Sequence, residues 1–276
     1  MARIVDTTPA FEEFAAAAFL ESPVMREQQW VERYEGAHPD VFAAFYAEQG
    51  QPDRGNPLVR ELSRVRQQAR EGGAATKSVI EEVEPAVARA LGLPETPSPV
   101  HVLMVGRFTA NAVVGRLDGE VALFHCLEWF RSEEGSRVLV AHEDAHAWHE
   151  IALGDSAPDD PAWTAFSEGM AIHTSRAVVP GRAEEEYFWY GHPGFEDWLP
   201  WCKEHRGEVM TLFASSLDDP DTTENFFGGG LVEGRWRVGY FVADELVREL
   251  ERPLPELARM GVDEARAAIR QLLATS

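Results

Sequence analysis

Two histidines and a glutamate stand together in His142-Glu143-Asp144-Ala145-His146. In a helix, residues four apart are separated by about 400° of rotation, or about 40° net, so both imidazoles project from one face a single turn apart. Neutral imidazole nitrogens at that separation can hold one Zn2+ at about 2.0–2.1 Å. Glu143 directly follows the first histidine. There its carboxylate can reach a metal-activated water without displacing it, as a general base must. The preceding residues Val138, Leu139, Val140 and Ala141 are apolar, so the helix is expected to be buried. Histidines and a carboxylate on a buried helix are costly unless something coordinates them. The plain alternative is an amphipathic helix with two incidental histidines.

Such a centre needs a third protein ligand. The series His-Glu-x-x-His-x-x-Gly-x-x-His does not supply it, because His149 and Ala152 occupy its glycine and final histidine places. Glu168, in Ser167-Glu168-Gly169-Met170-Ala171, lies 22 residues after His146. That gap allows the first helix to end, a loop around Pro158 and Pro161 to turn, and a second, antiparallel helix to begin. Gly169 and Ala171 are small, which would let this helix approach the metal helix closely. Otherwise Glu168 is a solvated helix carboxylate.

His142-Glu143-x-x-His146 followed by Glu168-Gly169-Met170-Ala171 resembles the gluzincin metallopeptidases. These use His-Glu-x-x-His with a downstream Glu, often in a Glu-Gly-x-Ala setting. The likeness is nearest to the bacterial zinc-dependent proteases of that clan. It covers about residues 100–250, is specific at the ligands and is loose elsewhere. It implies a zinc peptidase of α+β fold with a thermolysin-like zincin core: a small sheet, the His-Glu-x-x-His helix and a following helix that carries the third ligand. It also implies an oxyanion donor, Tyr or His, beyond that ligand. Tyr240, after Gly228-Gly229-Gly230 and at the start of an expected helix, is the first candidate. His192, in Tyr190-Gly191-His192-Pro193, is the second. In one respect the chain departs from the pattern. Several gluzincins carry an acidic residue four positions after the ligand glutamate, and here that position is Ile172. The group that orients His142 or His146 must come from elsewhere, from Asp144, Glu150 or His173.

The elements that must position these residues fall into two stretches. Residues 1–95 read as helical, and 96–276 as the catalytic region, unless the two form one continuous domain. In the first stretch Phe11, Phe14, Ala18 and Phe19, then Trp30 and Tyr34, recur at helical spacing. A helix over 40–49 puts Phe42, Phe45 and Tyr46 on one face. Asn56-Pro57 is expected to start a helix that Gly72-Gly73 ends, and another spans 76–91. The period then changes. Runs 100–105, 112–117 and 120–127 read as strands, the last two joined by a hairpin turn at Asp118-Gly119. They predict a small, mostly antiparallel sheet. The motif helix spans 136–153, and further helices follow. Residues 180–200 and 218–230 read as irregular.

The chain has 276 residues, 45% hydrophobic and 26% charged, enough for a core without staples. With 47 acidic against 25 basic residues the net charge is −22. That field repels phosphate backbones and anionic lipid, so neither nucleic acid nor membrane is an expected partner. Two cysteines make no disulfide framework. No run of 18 apolar residues exists, and Glu12 and Glu13 interrupt the only apolar stretch near the N-terminus, so a cytoplasmic location is expected. His149 reads as a residue of the cleft or just behind the metal ligands, otherwise of the surface; Trp189, Trp198 and Trp201 read as core, with lining of a substrate cleft as the alternative; Cys126 reads as core, and Cys202 as a thiol without a partner. The acidic runs 184–186 and 218–221 read as solvated charge. If they rimmed the cleft they would favour a basic substrate. The expected function is hydrolysis of a peptide or protein with Zn2+ on His142, His146 and Glu168, Glu143 as base and Tyr240 as oxyanion donor. Two alternatives remain: hydrolysis of a non-peptide amide or ester, and a non-proteolytic regulatory protein on the same scaffold.

Overall fold

The chain opens with a strand, β1 (Arg3–Asp6), in a region whose periodicity reads as helical. Helices α1 (Thr8–Ala18), α2 (Pro23–Gln29) and α3 (Pro39–Gln49) follow, with a π-helical turn at Trp30–Glu35. The structure is a computed structural model that describes residues 2–51, 61–154 and 158–275. The expected helix start at Asn56-Pro57 lies outside the described residues. From Leu62 a single helix, α4 (Leu62–Ala90), runs through the expected break at Gly72-Gly73. These glycines permit close packing and do not stop the helix. A Cβ on Gly72 would sit 2.8 Å from the Phe130 side chain, and one on Gly73 3.4 Å from Thr8.

The three expected strands are β2 (Val100–Met104), β3 (Ala112–Leu117) and β4 (Glu120–Cys126). With β1 they form one four-stranded sheet in the order β1-β2-β4-β3. The β3–β4 hairpin is antiparallel, and its turn residues Asp118 and Gly119 both have positive φ. The pairs β1–β2 and β2–β4 are parallel. The sheet is therefore mixed, and the expectation of a mostly antiparallel sheet is corrected. A hairpin turn is a local signal, whereas the partner of a buried strand is chosen by tertiary packing.

Two capped helices come next. In α5 (Glu133–Leu153), Ser132 Oγ accepts the Gly135 N–H at 3.1 Å, Glu133 and Glu134 lie in the positive first turn, and Gly154 closes the helix at φ +77°. In α6 (Pro161–Val178), Asp160 Oδ1 accepts the Trp163 N–H at 3.0 Å and Pro161 takes a first-turn position. The stretches expected to be irregular hold short helices, α7 (Glu186–Trp189), α8 (Trp198–Glu204) and, after α9 (Arg206–Ser216), α10 (Thr222–Phe227). A two-stranded ribbon, β5 (Leu231–Val232) and β6 (Arg235–Trp236), leads into α11 (Val238–Glu249), α12 (Leu254–Leu257) and α13 (Val262–Thr275).

The sheet is covered on both faces. Val114, Leu123, Ala147 and Ile151 pack β3 and β4 against α5. On the other side Phe45 of α3 meets Phe124, and the Tyr34 hydroxyl accepts the Val105 N–H at 2.9 Å. One hydrophobic core extends from Phe11 to Leu273, so residues on either side of position 95 share a sheet and a core. α6 runs antiparallel to α5 and is flanked on its other side by α11. A Cβ on Gly169 would meet Ala243 O at 2.3 Å, so Gly169 serves the approach of α11, not the approach of the metal helix.

Candidate metal centre

His142 and His146 leave α5 one turn apart, and Glu168 comes from the facing side of α6. His142 Nε2 lies 3.0 Å from Glu168 Oε2 and 3.2 Å from His146 Nε2, and His146 Nε2 lies 3.5 Å from Glu168 Oε2. Among the described residues this is the only group of three such side chains whose ligand atoms all lie within 4.8 Å of one another. Tetrahedral Zn2+ with ligands at about 2.0–2.1 Å has ligand–ligand edges of about 3.3–3.4 Å, which matches this triangle.

His146 Nδ1 is 2.9 Å from Ser167 Oγ. With Nδ1–H donating to that hydroxyl, Nε2 presents its lone pair to the centre. Ser167 was not among the orienting groups expected from the sequence, and those groups are engaged elsewhere. Asp144 faces the sheet beside His101, Glu150 pairs with Arg116 at 2.7 Å, and His173 pairs with Asp244 at 3.1 Å.

The electrostatics follow from the packing. Burial alone would raise the Glu168 carboxyl, but the two imidazoles outweigh it and hold this group well below the usual carboxylate range. Burial likewise opposes charge on His146, yet Glu168 raises it above its ordinary value. Glu143, 9% exposed, has its carboxyl raised by burial against the opposing pull of His142 and His146. It is not part of the ligand group.

These side chains open into a cleft of about 400 Å3. Residues 111–114 at the start of β3 form one wall, Trp163 and Ser167 of α6 another, and Arg237 and Tyr240 stand at the start of α11. The Tyr240 ring lies 6.4 Å from that of His142 and 5.7 Å from that of Phe227, centroid to centroid. Burial raises its phenol and Arg237 opposes the shift. His192 lines a separate small cavity, with His125 and Cys126, and meets Trp129 edge-on at 5.9 Å. His149 is buried against Trp163 at 5.3 Å on the cleft wall, and burial pulls its imidazole down to about 4. Trp189 and Trp198 join Phe195 and Trp236 in an aromatic cluster outside the cleft. Both cysteines are buried, and burial pushes the Cys202 thiol up to about 12.

Two residues that sequence reasoning missed face the same centre. Tyr190 sets its ring edge-on to His142 at 5.6 Å, and Arg237 lies over Tyr240, its guanidinium carbon 4.0 Å from the ring centroid. Both have left-handed backbones, with φ +52° and +58°. For residues other than glycine that conformation costs of order 1–3 kcal/mol and persists only where surrounding packing enforces it. The Tyr190-Gly191 pair is a local hint of such a turn. Nothing local separates Arg237 from a surface arginine.

No helix among the described residues is long and apolar enough to cross a membrane. Comparison with known proteins finds no matching family model, no matching curated protein and no matching solved structure.

Proposed function

We propose that this chain is a zinc-dependent peptidase on a gluzincin-like, thermolysin-like core made of the mixed sheet, α5 and α6. The observation that carries this reading is the convergence of His142 Nε2, His146 Nε2 and Glu168 Oε2 at 3.0–3.5 Å, with Glu143 beside them in an open cleft. Two imidazoles and one carboxylate suit Zn2+, which would polarise a substrate carbonyl and acidify a water. Glu143 then has a defined task. Its carboxyl, raised by burial, takes the proton of the attacking water and passes it to the leaving amine. Tyr240, held between Phe227 and Arg237, donates its hydroxyl to the oxyanion, a contribution of about 2.7–4 kcal/mol. Ser167 keeps His146 in the tautomer that leaves Nε2 free.

The wall opposite α6 favours a peptide over a compact amide or ester. β3 is the outer strand of the sheet, and residues 111–114 line the cleft. An outer strand offers unpaired backbone N–H and C=O groups to which an extended chain can add.

Glu143→Gln tests the reading. Metal analysis should find about one zinc per chain in both proteins, while turnover on a peptide library falls by about 10²–10⁴-fold in the variant. Zinc lost with Glu143 would make it a ligand and end the proposed mechanism. Zinc-loaded wild-type protein that cleaves no peptide would end the peptidase reading.

A further inference from the structure

Although the chain carries 47 acidic and 25 basic residues, the cleft contains one cation that forms no ion pair among the described residues. Most arginines are committed to acids: Arg107 to Glu27, Arg116 to Glu150, Arg176 to Asp244. Arg237 is the only arginine or lysine among the described residues that line the cleft, and it makes no ion pair among them. Its guanidinium lies among aromatic rings, 4.0 Å from the centroid of Tyr240, 5.4 Å from that of Trp189 and 6.0 Å from that of Trp236. It is half-buried at the left-handed residue that precedes α11. Holding a guanidinium partly out of water without an anion is costly. Stacked faces still leave its in-plane N–H groups the geometry to grip a carboxylate in bidentate fashion.

The local charge balance points the same way. Glu143 and Glu168 together match a divalent cation at the centre, and Glu150 is matched by Arg116. Arg237 remains as an unmatched positive charge. The acidic runs 184–186 and 218–221 do not line the cleft, which removes the reason to expect a basic substrate. We infer that Arg237 binds a carboxylate of the substrate, either a free C-terminus or an acidic side chain. This rests on the peptidase reading in taking the cleft as a peptide site.

The test separates the two readings. Zinc-loaded Glu143→Gln protein, chosen so that cleavage does not deplete the ligand, is titrated calorimetrically with benzoyl-Gly-Phe and its C-terminal amide. A second pair, acetyl-Ala-Glu-Ala amide and its Gln counterpart, tests the side-chain source. In at least one pair the acid should bind about 10–100-fold more tightly than its neutral partner. Added Arg237→Met should bring that ratio to about one, and Arg237→Lys should retain part of it. Melting curves check that each variant is folded. Equal affinity within both pairs, no binding by either acid, or a preference that survives Arg237→Met would overturn the inference. An Arg237-dependent preference, with neither the four probes nor any peptide of the library cleaved when Glu143 is intact, would leave the anion site standing and refute the peptidase. Cleavage without acid preference would do the reverse.

Discussion

Helix α5 carries a buried cluster of histidines and acids on each of two faces, and the clusters behave oppositely. Toward the cleft, His142 and His146 meet Glu168. Toward the sheet, Asp144 meets His101 of β2, which in turn reaches His125 of β4 and Glu84 of α4. There His101 Nδ1 lies 3.1 Å from His125 Nε2, and His101 Nε2 lies 3.7 Å from Asp144 and 4.0 Å from Glu84. Burial dominates this second cluster. It depresses both imidazoles, His125 to about 4, and raises the carboxyls of Asp144 and Glu84. In the sheet-side cluster, burial therefore disfavours the charged form of every member. Both Asp144 oxygens, His101 Nε2 and His125 Nδ1 lack a hydrogen-bond partner among the described residues. On the cleft side, three potential ligand atoms converge, and Glu168 and His146 each favour the other's charged form. The residue types are the same. Convergence and access to solvent separate a candidate metal centre from buried polar filling.

The largest effect should come from the ligands. His146→Ala is expected to reduce bound zinc from about one per chain to nearly none, because two remaining ligands hold zinc poorly. His125→Ala should leave zinc content unchanged. Zinc lost from the His125 variant as well would mean that the two clusters act as one.

Next come two aspartates of equal burial. Asp244 is as buried as Asp144, but Arg176, His173 and Arg248 surround it and its carboxyl is lowered to about 2. Removing a charge from such a network costs about 3–5 kcal/mol, so urea unfolding of Asp244→Asn should show a loss of that size. Asp144→Asn should cost less than about 1 kcal/mol, since burial favours the uncharged carboxyl and an amide has the same shape. Similar losses in the two variants would show that Asp144 is ionised, and the contrast between the faces would fail.

The smallest effect is a pH dependence. His125 has a folded pKa of about 4 against an ordinary 6.5, so the unfolded chain binds its proton first. The stability contributed by the neutral ring is complete above pH 6.5 and declines as pH falls through 4, by about 3 kcal/mol in all. Between pH 7 and 4.5 the wild-type protein should lose about 2–3 kcal/mol more than His125→Gln. Parallel pH profiles would show that the pair already shares a proton in the fold.

Features set by near neighbours were legible in the sequence. The hairpin at Asp118-Gly119 and the shared face of His142 and His146 each depend on residues within a few positions, whereas the cap at Ser132 starts α5 at Glu133, ahead of the expected start at 136. The four residues of β1 are too few to show a period, and Gly72-Gly73 looks like a helix end unless the side chain of Phe130 is known to lie against it. His101 and His125 sit singly on separate strands, so only the parallel β2–β4 pairing brings them together.

By itself the sequence determined what a helical repeat can determine: two imidazoles at one turn's spacing and a carboxylate beside the first. The rise and rotation per residue are fixed by backbone sterics and hydrogen bonding, so four residues suffice. Only the tertiary structure decided that Glu168 closes the triangle, that Ser167 orients His146, and that Gly169 faces α11. It alone brought Arg237 to the cleft and Tyr190 against His142 from segments far along the chain. Which helix faces meet is settled by the burial of many side chains at once, and no local repeat encodes that choice.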